Sequence, residues 1–260
     1  MNLFDSHSHY NDEKFDIDRD EVIKETLVSG VSNFIVSGYN IESSKKSIEI
    51  ANNYESVYAI VGISPNDVEN IINKEDTDGS ILEIERIANN KKVVGIGEIG
   101  LDYYWNKDNK EIQKEIFIKQ INLANKLSLP IVIHTRDATI DTIQILKENE
   151  VSKKGIFHCC PLNKELIKEA LKLGFYISLS GVITFKNSKN ADEIIKIIPE
   201  DKLLIETDSP YLSPEPFRGK RNTSMNVKYV AEKIAKVKNM NIEEIAYITS
   251  NNAKKIFNIQ

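Results

Sequence analysis

The chain has 260 residues, of which 41% are hydrophobic and 28% charged, a composition typical of a soluble globular protein. Its 39 acidic and 34 basic residues leave a net charge of −5, which argues against a protein that coats nucleic acid through a broad basic face. No segment approaches 18 consecutive apolar residues, and the N-terminus lacks the basic and apolar regions of a secretory signal. The two cysteines, Cys159 and Cys160, are adjacent, which predicts reduced thiols. We therefore expect a cytoplasmic protein.

Short runs rich in Val and Ile alternate along the chain with longer stretches of helical period. The predicted strands are residues 3–9, 33–39, 57–64, 93–101, 130–135, 155–159, 175–180 and 203–207. The predicted helices between them include residues 20–29, 43–53, 80–89, 110–127, 138–149 and 164–173. Eight nearly continuous hydrophobic strands that alternate with helices favour an α/β fold, a parallel (β/α)8 TIM-type barrel. A doubly wound open sheet would normally need a phosphate-binding turn after the first strand, where the chain reads SHSHY instead.

Two more helical patterns, residues 226–238 and 242–257, follow the eighth strand. We expect these additional C-terminal helices to cap the barrel. No linker, low-complexity tract or internal repeat interrupts the sequence, so we assign one domain, residues 1–260.

The residues with metal-binding chemistry lie where the predicted strands end. In a barrel the C-terminal ends of the strands meet at one mouth, which holds the active site in enzymes of this fold. All four histidines of the chain and two acids share this location. The candidate ligands are His7, His9, Glu98, His134, His158 and Asp208.

A single histidine in an apolar run is more often a core residue than a ligand, so the prediction rests on the whole set. His7 and His9 project to one face of a strand about 7 Å apart, within reach of one ion. Imidazole and carboxylate without cysteine suit Zn, Mn, Fe, Co or Ni, and a carboxylate-rich site with water also suits Mg. Four histidines and two acids exceed the three ligands of one open zinc site and suit two ions that share a carboxylate. Asp208 could hold the attacking water and accept its proton.

Six segments in this order resemble the TatD family of metal-dependent deoxyribonucleases, part of the amidohydrolase superfamily. They are residues 4–9 (FDSHSH), 97–103 (GEIGLDY), 133–138 (IHTRDA), 157–159 (FHC), 205–212 (IETDSPYL) and 218–222 (RGKRN). The similarity continues to residues 251–257, so it covers effectively the whole chain. It implies a barrel that hydrolyses phosphodiester bonds of DNA with two divalent ions, for which we expect Mg, Mn or Zn.

The resemblance also implies how the ligands divide between the two ions. One ion would be held by His7, His9, Glu98 and Asp208. The other would be held by Glu98, His134 and His158. Glu98 then bridges the ions, and we assign Glu98 and Asp208 as the catalytic residues.

The chain departs from the family pattern at two places. After the third strand, where the family usually has a stretch with two histidines, residues 62–66 read GISPN, so Ser64 and Asn66 stand in their place. After the sixth strand, residues 158–162 read HCCPL in place of a Phe-Ser-Gly-like turn. Neither departure changes a proposed ligand, but both leave the substrate less defined.

Three arginines are candidate substrate contacts. Arg136, just after His134, could bind a phosphate with its planar guanidinium or form a structural ion pair. Arg218 and Arg221, with Lys220, form a compact basic cluster that could position a nucleic-acid backbone or be ordinary solvated surface.

Other residues near the predicted site have less direct roles. Tyr103, Tyr104 and Trp105 could stack bases, although packing against a neighbouring loop is the alternative for at least two of them. Asp102 and Glu206 are expected to orient ligands.

Three functions remain open from the sequence. The leading hypothesis is a metal-dependent DNase acting on DNA ends or single strands, with DNA as its partner, no membrane association and no obligate protein partner evident. The first alternative is hydrolysis of a small-molecule or aminoacyl ester or amide at the same site. The second is a non-catalytic barrel scaffold, which would have no need for four histidines at one mouth.

Overall fold

The computed structural model describes residues 1–68 and 74–260. The strands in these residues are β1 (Leu3–Ser8), β2 (Val31–Ser37), β3 (Val57–Val61), β4 (Val93–Asp102), β5 (Ile131–Arg136), β6 (Gly155–Phe157), β7 (Tyr176–Leu179) and β8 (Leu203–Ile205). The α-helices are α1 (Arg19–Val28), α2 (Ile41–Asn52), α3 (Lys74–Ala88), α4 (Lys110–Leu127), α5 (Thr139–Glu148), α6 (Lys164–Lys172), α7 (Ala191–Ile197), α8 (Val227–Lys238) and α9 (Ile242–Phe257). No helix among the described residues is long and apolar enough to cross a membrane.

The eight strands form one parallel sheet that follows the order of the chain from β1 to β8. The two ends of the sheet meet beyond β8, where Ser8 and Ser209 form a parallel bridge. The amide of Asp208 donates to the carbonyl of His7 at 3.0 Å, and the amide of His9 donates to the carbonyl of Ser209 at 2.6 Å. These contacts close the barrel, so the predicted (β/α)8 TIM-type fold is confirmed.

The N-terminal end of the barrel interior is filled by one apolar side chain from each strand. These are Phe4, Ile35, Ile60, Val94, Val132, Ile156, Tyr176 and Leu204. Phe257, at the end of α9, and Ile259 just beyond it pack against the same side chains. We call this cluster the barrel floor. Since α9 supplies its closing residue, the C-terminal helix caps the barrel as the sequence predicts.

A larger apolar layer lies between the strands and the surrounding helices. Asparagine side chains cap the N-termini of α2, α6 and α9. At the start of α9, the Asn241 side chain accepts from the amide of Glu244 at 2.8 Å, and the Glu244 carboxylate accepts from the amide of Asn241 at 3.0 Å. This reciprocal capping box satisfies amides that the helix itself leaves unpaired.

The observed elements differ from the predicted ones mainly at their ends. β3 stops at Val61, three residues early, because residues 62–64 leave the sheet before Pro65 and the amide of Ser64 donates to Tyr39 instead. The seven-residue helix α7 was not predicted, since so short a segment carries little helical period. α3 begins at Lys74 rather than at residue 80, extending through Gly79.

Candidate metal centre

Two groups of ligand atoms lie at the C-terminal end of the barrel, which we call the mouth. In the first group, Nε2 of His7 is 3.2 Å from Nε2 of His9 and 3.4 Å from Oε2 of Glu98. Oδ1 of Asp208 lies 3.2 Å from Nε2 of His9 and 3.8 Å from Nε2 of His7. These atoms surround one point, as the ligands of a single ion do.

The second group forms on the other oxygen of the same glutamate. Oε1 of Glu98 is 3.0 Å from Nδ1 of His134 and 3.2 Å from Nε2 of His158. The two imidazole nitrogens are 3.3 Å apart. The imidazoles of His7 and His158 stack at 3.8 Å between centroids, so the two groups are adjacent. Glu98 therefore offers one oxygen to each group.

Irregularities in the strands bring these side chains to the mouth. Between Asp5 and Ser8, β1 advances three residues while β2 advances two, and β4 does the same against β5 between Ile96 and Ile99. Such an extra residue is a β-bulge, a feature that re-aims side chains beside active sites. His9 and His158 lie just beyond the last paired residues of β1 and β6, and Glu98 lies within β4 rather than at its end.

Asp208 and Gly100 have backbone conformations that this arrangement requires. Asp208 has a φ of +56°, a left-handed conformation that aspartate tolerates better than most residues, and it follows β8 directly after Glu206 and Thr207. Gly100 has a φ of +139°, and a Cβ added there would lie 2.0 Å from the carbonyl oxygen of His134. Only glycine allows β4 to approach β5 so closely beside the ligands.

Two histidines have a hydrogen-bond acceptor at the ring nitrogen that faces away from the centre, and a third, His158, has a carboxylate oxygen near that nitrogen without a hydrogen bond. Nε2 of His134 lies 2.8 Å from Oδ2 of Asp102, and Nδ1 of His158 lies 3.4 Å from Oε1 of Glu206. Nδ1 of His9 lies 3.1 Å from the carbonyl oxygen of Ser37. An acceptor at one ring nitrogen orients the ring and leaves the other nitrogen free to bind a metal.

The pKa values of the acids and histidines reflect their mutual proximity. Burial raises the pKa of Glu98, but the surrounding histidines, His158 above all, outweigh it and hold the pKa well below its usual value. Burial lowers the pKa of His158, yet Glu98 and Glu206 hold it well above its usual value. His7 is the exception, because its burial and the neighbouring His158 lower its pKa.

The donor set fits divalent metal ions. Its members are imidazole nitrogens and carboxylate oxygens that converge from five strands, without a cysteine among them. Pairs of imidazole nitrogens face each other at 3.2 and 3.3 Å, close enough for both nitrogens of a pair to bind one ion. The oriented outer nitrogens complete the pattern expected of metal-binding histidines.

The six ligand side chains differ in their exposure to solvent. The side chains of His134 and Asp208 are the most exposed of the six, at 19% and 15%, whereas that of His7 is fully buried. The centre is therefore most open to solvent at His134 and at Asp208.

The three predicted substrate arginines lie in different surroundings. The Arg136 guanidinium lies over the ring of Tyr104, 3.7 Å from its centroid, and the Arg218 guanidinium lies 3.6 Å from the centroid of Phe185. Arg221 is engaged elsewhere, since its guanidinium pairs with the Asp18 carboxylate at 2.5 and 2.8 Å and donates to the carbonyl of Lys14. A substrate contact stays a prediction for all three.

Two tyrosines at the mouth were not identified from the sequence. The rings of Tyr39 and Tyr211 lie 5.8 and 6.4 Å from that of His9. The Tyr211 hydroxyl donates to Asp12 at 2.6 Å, which fixes the ring beside the first group of ligands. Tyr39 could have been identified from its position just after β2. The carbonyl of Ser37 that faces Nδ1 of His9 could not, because every residue type has a backbone carbonyl.

Of the two residues after β3 that replace the family's usual histidines, Asn66 lies beside the centre. The Ser64 hydroxyl donates to Asp67 at 2.9 Å, and the Asn66 amide lies 3.5 Å from Oδ2 of Asp102. Asn66 thus reaches the acid that contacts His134. Ser64 instead stabilises its own turn.

Comparison with known proteins gives consistent matches over nearly the full length. The family described as TatD related DNase matches residues 4–258. YabD of Bacillus subtilis (strain 168), an uncharacterized metal-dependent hydrolase, is 46% identical over 258 residues, which cover 99% of either chain. YcfH of Escherichia coli (strain K12), named in the same way, is 35% identical over 263 residues, 100% of this chain and 97% of YcfH.

A solved structure agrees with these matches. The crystal structure of YjjV, a TatD homologue from Escherichia coli K12, is similar with a TM-score of 0.92 at 26% sequence identity. The similarity covers 99% of this chain and 98% of YjjV.

Proposed function

The chain belongs to the family of TatD-related DNases, and on this premise we propose that it hydrolyses phosphodiester bonds of DNA with two divalent ions. It is a metal-dependent hydrolase of that family. DNA as the substrate, and two as the number of ions, are the parts that we propose. The observation that carries the proposal is the position of Glu98, whose two oxygens each face a separate group of ligand atoms.

The first ion would be held by His7, His9, Glu98 and Asp208, and the second by Glu98, His134 and His158. Divalent ions bound by these residues would supply an acidified water and positive charge for the oxygens of a phosphoryl group. The chain has a net charge of −5, which would not attract a polyanionic substrate. Bound ions could supply the positive charge at the site.

Asp208 is suited to move the proton of the attacking water. Its burial raises its pKa, but His9 more than offsets this and keeps the pKa below its usual value, so the carboxylate is ionised at neutral pH. It is also the more exposed of the two ligand carboxylates. An ionised carboxylate at the open side of the site can orient a water molecule and accept its proton. Glu98 lies deeper and holds the two groups of ligands together.

The test is hydrolysis of DNA by protein stripped with a chelator and then reloaded with Mg, Mn or Zn. We expect cleavage of single-stranded DNA or of duplex ends by the reloaded protein and none by the stripped protein. Failure of all three reloaded forms to cleave any DNA would contradict the proposal. Turnover of carboxylic esters without turnover of phosphodiesters would instead favour the small-molecule alternative.

A further inference from the structure

An aromatic pair is exposed on the turn that follows β4. Trp105 is 69% exposed and Tyr104 is 48% exposed, and their rings meet edge to face with centroids 4.9 Å apart. Large aromatic side chains are usually buried because exposing them forfeits a large apolar contribution. Two of them side by side at the edge of a catalytic mouth indicate a contact with something outside the chain.

This turn is held in a fixed relation to the metal centre. The amides of Tyr104 and Trp105 donate to Oδ1 of Asp102 at 2.9 and 3.0 Å. The other oxygen of Asp102 lies 2.8 Å from His134. One buried carboxylate therefore connects the exposed aromatic pair with a ligand of the second group.

A cation completes the surface. The guanidinium of Arg136 lies 3.7 Å from the ring centroid of Tyr104 and 5.4 Å from that of Trp105. Arg136 is two residues beyond His134 on β5, about 7 Å along the strand on the same face. Within residues 1–68 and 74–260 the structure shows no ion pair of Arg136, so the edges of its guanidinium are available to an anion.

We propose that Tyr104, Trp105 and Arg136, which we call the stacking ledge, bind an unpaired nucleobase and the phosphate next to it. This inference rests on the proposed function, because it specifies which form of DNA the site takes. The indole of Trp105 stacks on the base, and Arg136, held in place by Tyr104, donates to the phosphate. A base within a duplex has both faces already stacked, so the ledge selects single strands and unpaired ends. Stacking tolerates any base, so we expect little sequence preference.

The single tryptophan of the chain makes the ledge directly observable. Metal-loaded protein is titrated with a short phosphorothioate oligothymidylate, which resists hydrolysis, while tryptophan fluorescence is recorded. We expect quenching that saturates with the oligonucleotide. An abasic oligomer with the same phosphates should quench far less, because it carries the charge without the stacking face.

Variants test the two parts of the ledge separately by anisotropy of a labelled oligonucleotide. Trp105→Ala should weaken binding about tenfold, in the range that loss of one stacked base gives. Arg136→Ala should lower the slope of log Kd against log salt by about one, as expected for one lost phosphate contact. Tyr247→Ala, an exposed aromatic on α9, is the matched control and should change neither quantity.

Three results would overturn the ledge. They are equal quenching by the abasic oligomer, unchanged affinity in Trp105→Ala, and Trp105 shielded from acrylamide in an oligomer of the free protein. DNA hydrolysis measured in parallel separates this inference from the proposed function. If the protein cleaves DNA but Trp105→Ala changes neither binding nor the preference for unpaired ends, only the ledge is contradicted. Base-dependent quenching by a protein that cleaves no DNA supports the ledge and contradicts only the proposed function.

Discussion

The two ends of the barrel interior are built from the same strands but have opposite chemistry. At the floor, each strand contributes one apolar side chain and Phe257 closes the space. At the mouth, five of these strands carry or lead into histidines and carboxylates whose neighbouring ligand atoms are 3.0 to 3.8 Å apart. Register shifts occur at both ends, between Leu3 and Phe4 and between Ala59 and Ile60 at the floor and beside the ligands at the mouth, and the mouth also has a left-handed aspartate.

The difference shows which end stabilises the fold and which end performs the chemistry. Burying the floor removes apolar surface from water and contributes free energy to folding. Burying charged groups at the mouth costs free energy unless partners or ions compensate for it. We therefore expect substitutions at the mouth to affect activity and metal binding, and substitutions at the floor to affect the free energy of unfolding.

The largest effect is expected for Glu98→Ala. The change removes the one group shared by both sets of ligands, so hydrolysis should fall about 1,000-fold, equivalent to several kcal/mol of stabilisation of the transition state. Bound metal, measured by elemental analysis after dialysis, should fall below two ions per chain. Circular dichroism should show the folded barrel.

The matched control for this prediction is Glu111→Ala on α4. The Glu111 side chain is 89% exposed and lies away from the histidines, so activity and metal content should stay at the wild-type level. Full activity of the Glu98→Ala protein would remove the basis for a bridging role.

A large effect on the stability of the fold, rather than on metal binding, is expected for Phe257→Ala. Phe257 is buried in the floor, and its truncation leaves a cavity where α9 closes the barrel. The free energy of unfolding should fall by about 3–4 kcal/mol in urea denaturation. Tyr247→Ala on the exposed face of the same helix should change it by less than about 0.5 kcal/mol. Metal content of the folded Phe257→Ala protein should be unaltered, and a loss of metal there would break the separation of floor from mouth.

The contrast also explains how much could be predicted from the sequence. The strands were predictable because their apolar runs are nearly continuous, and α4 and α9 have the predicted bounds, residues 110–127 and 242–257. All four histidines and both acids converge because parallel strands bring their C-terminal ends together. The position of each histidine or acid relative to a strand end was therefore sufficient to predict that these side chains lie together.

Contacts between side chains distant in sequence were not predictable in the same way. The pairing of Arg221 with Asp18, 203 residues away, leaves no periodic signal, and it engages an arginine that the sequence offered to the substrate. The division of Glu98 between two groups occurs at a register shift in β4, and the sequence implied it only through resemblance to a family. Such features depend on side-chain direction rather than on hydrophobic pattern.

A smaller effect is expected for Asp102→Asn, which tests how the mouth is supported. The substitution keeps an oxygen to accept from the amides of Tyr104 and Trp105 but removes the charge beside His134. Loss of such an outer acceptor typically lowers metal affinity 10- to 100-fold. Competition with a chromophoric chelator measures the affinity, and Asp108→Asn, an exposed residue between β4 and α4, is the control. Equal affinity in both variants would mean that Asp102 only shapes the turn.

The smallest effect concerns Asp5, a buried carboxyl on β1 between the floor and the mouth. Burial raises its pKa to about 7, although the amide and hydroxyl of Thr207 donate to it. Between pH 4 and 7 the folded state therefore holds a proton on Asp5 that the unfolded chain has lost, so the free energy of unfolding falls as pH rises. Between pH 5 and 6 this contribution should fall by about 1.3 kcal/mol. Asp5→Asn should lack this pH-dependent contribution. We therefore expect the difference in free energy of unfolding between variant and wild type to change by about 1.3 kcal/mol between pH 5 and 6, measured in urea on chelated protein. A difference that stays constant across this range would mean that Asp5 is ionised in the fold and belongs with the charged mouth rather than with the apolar floor.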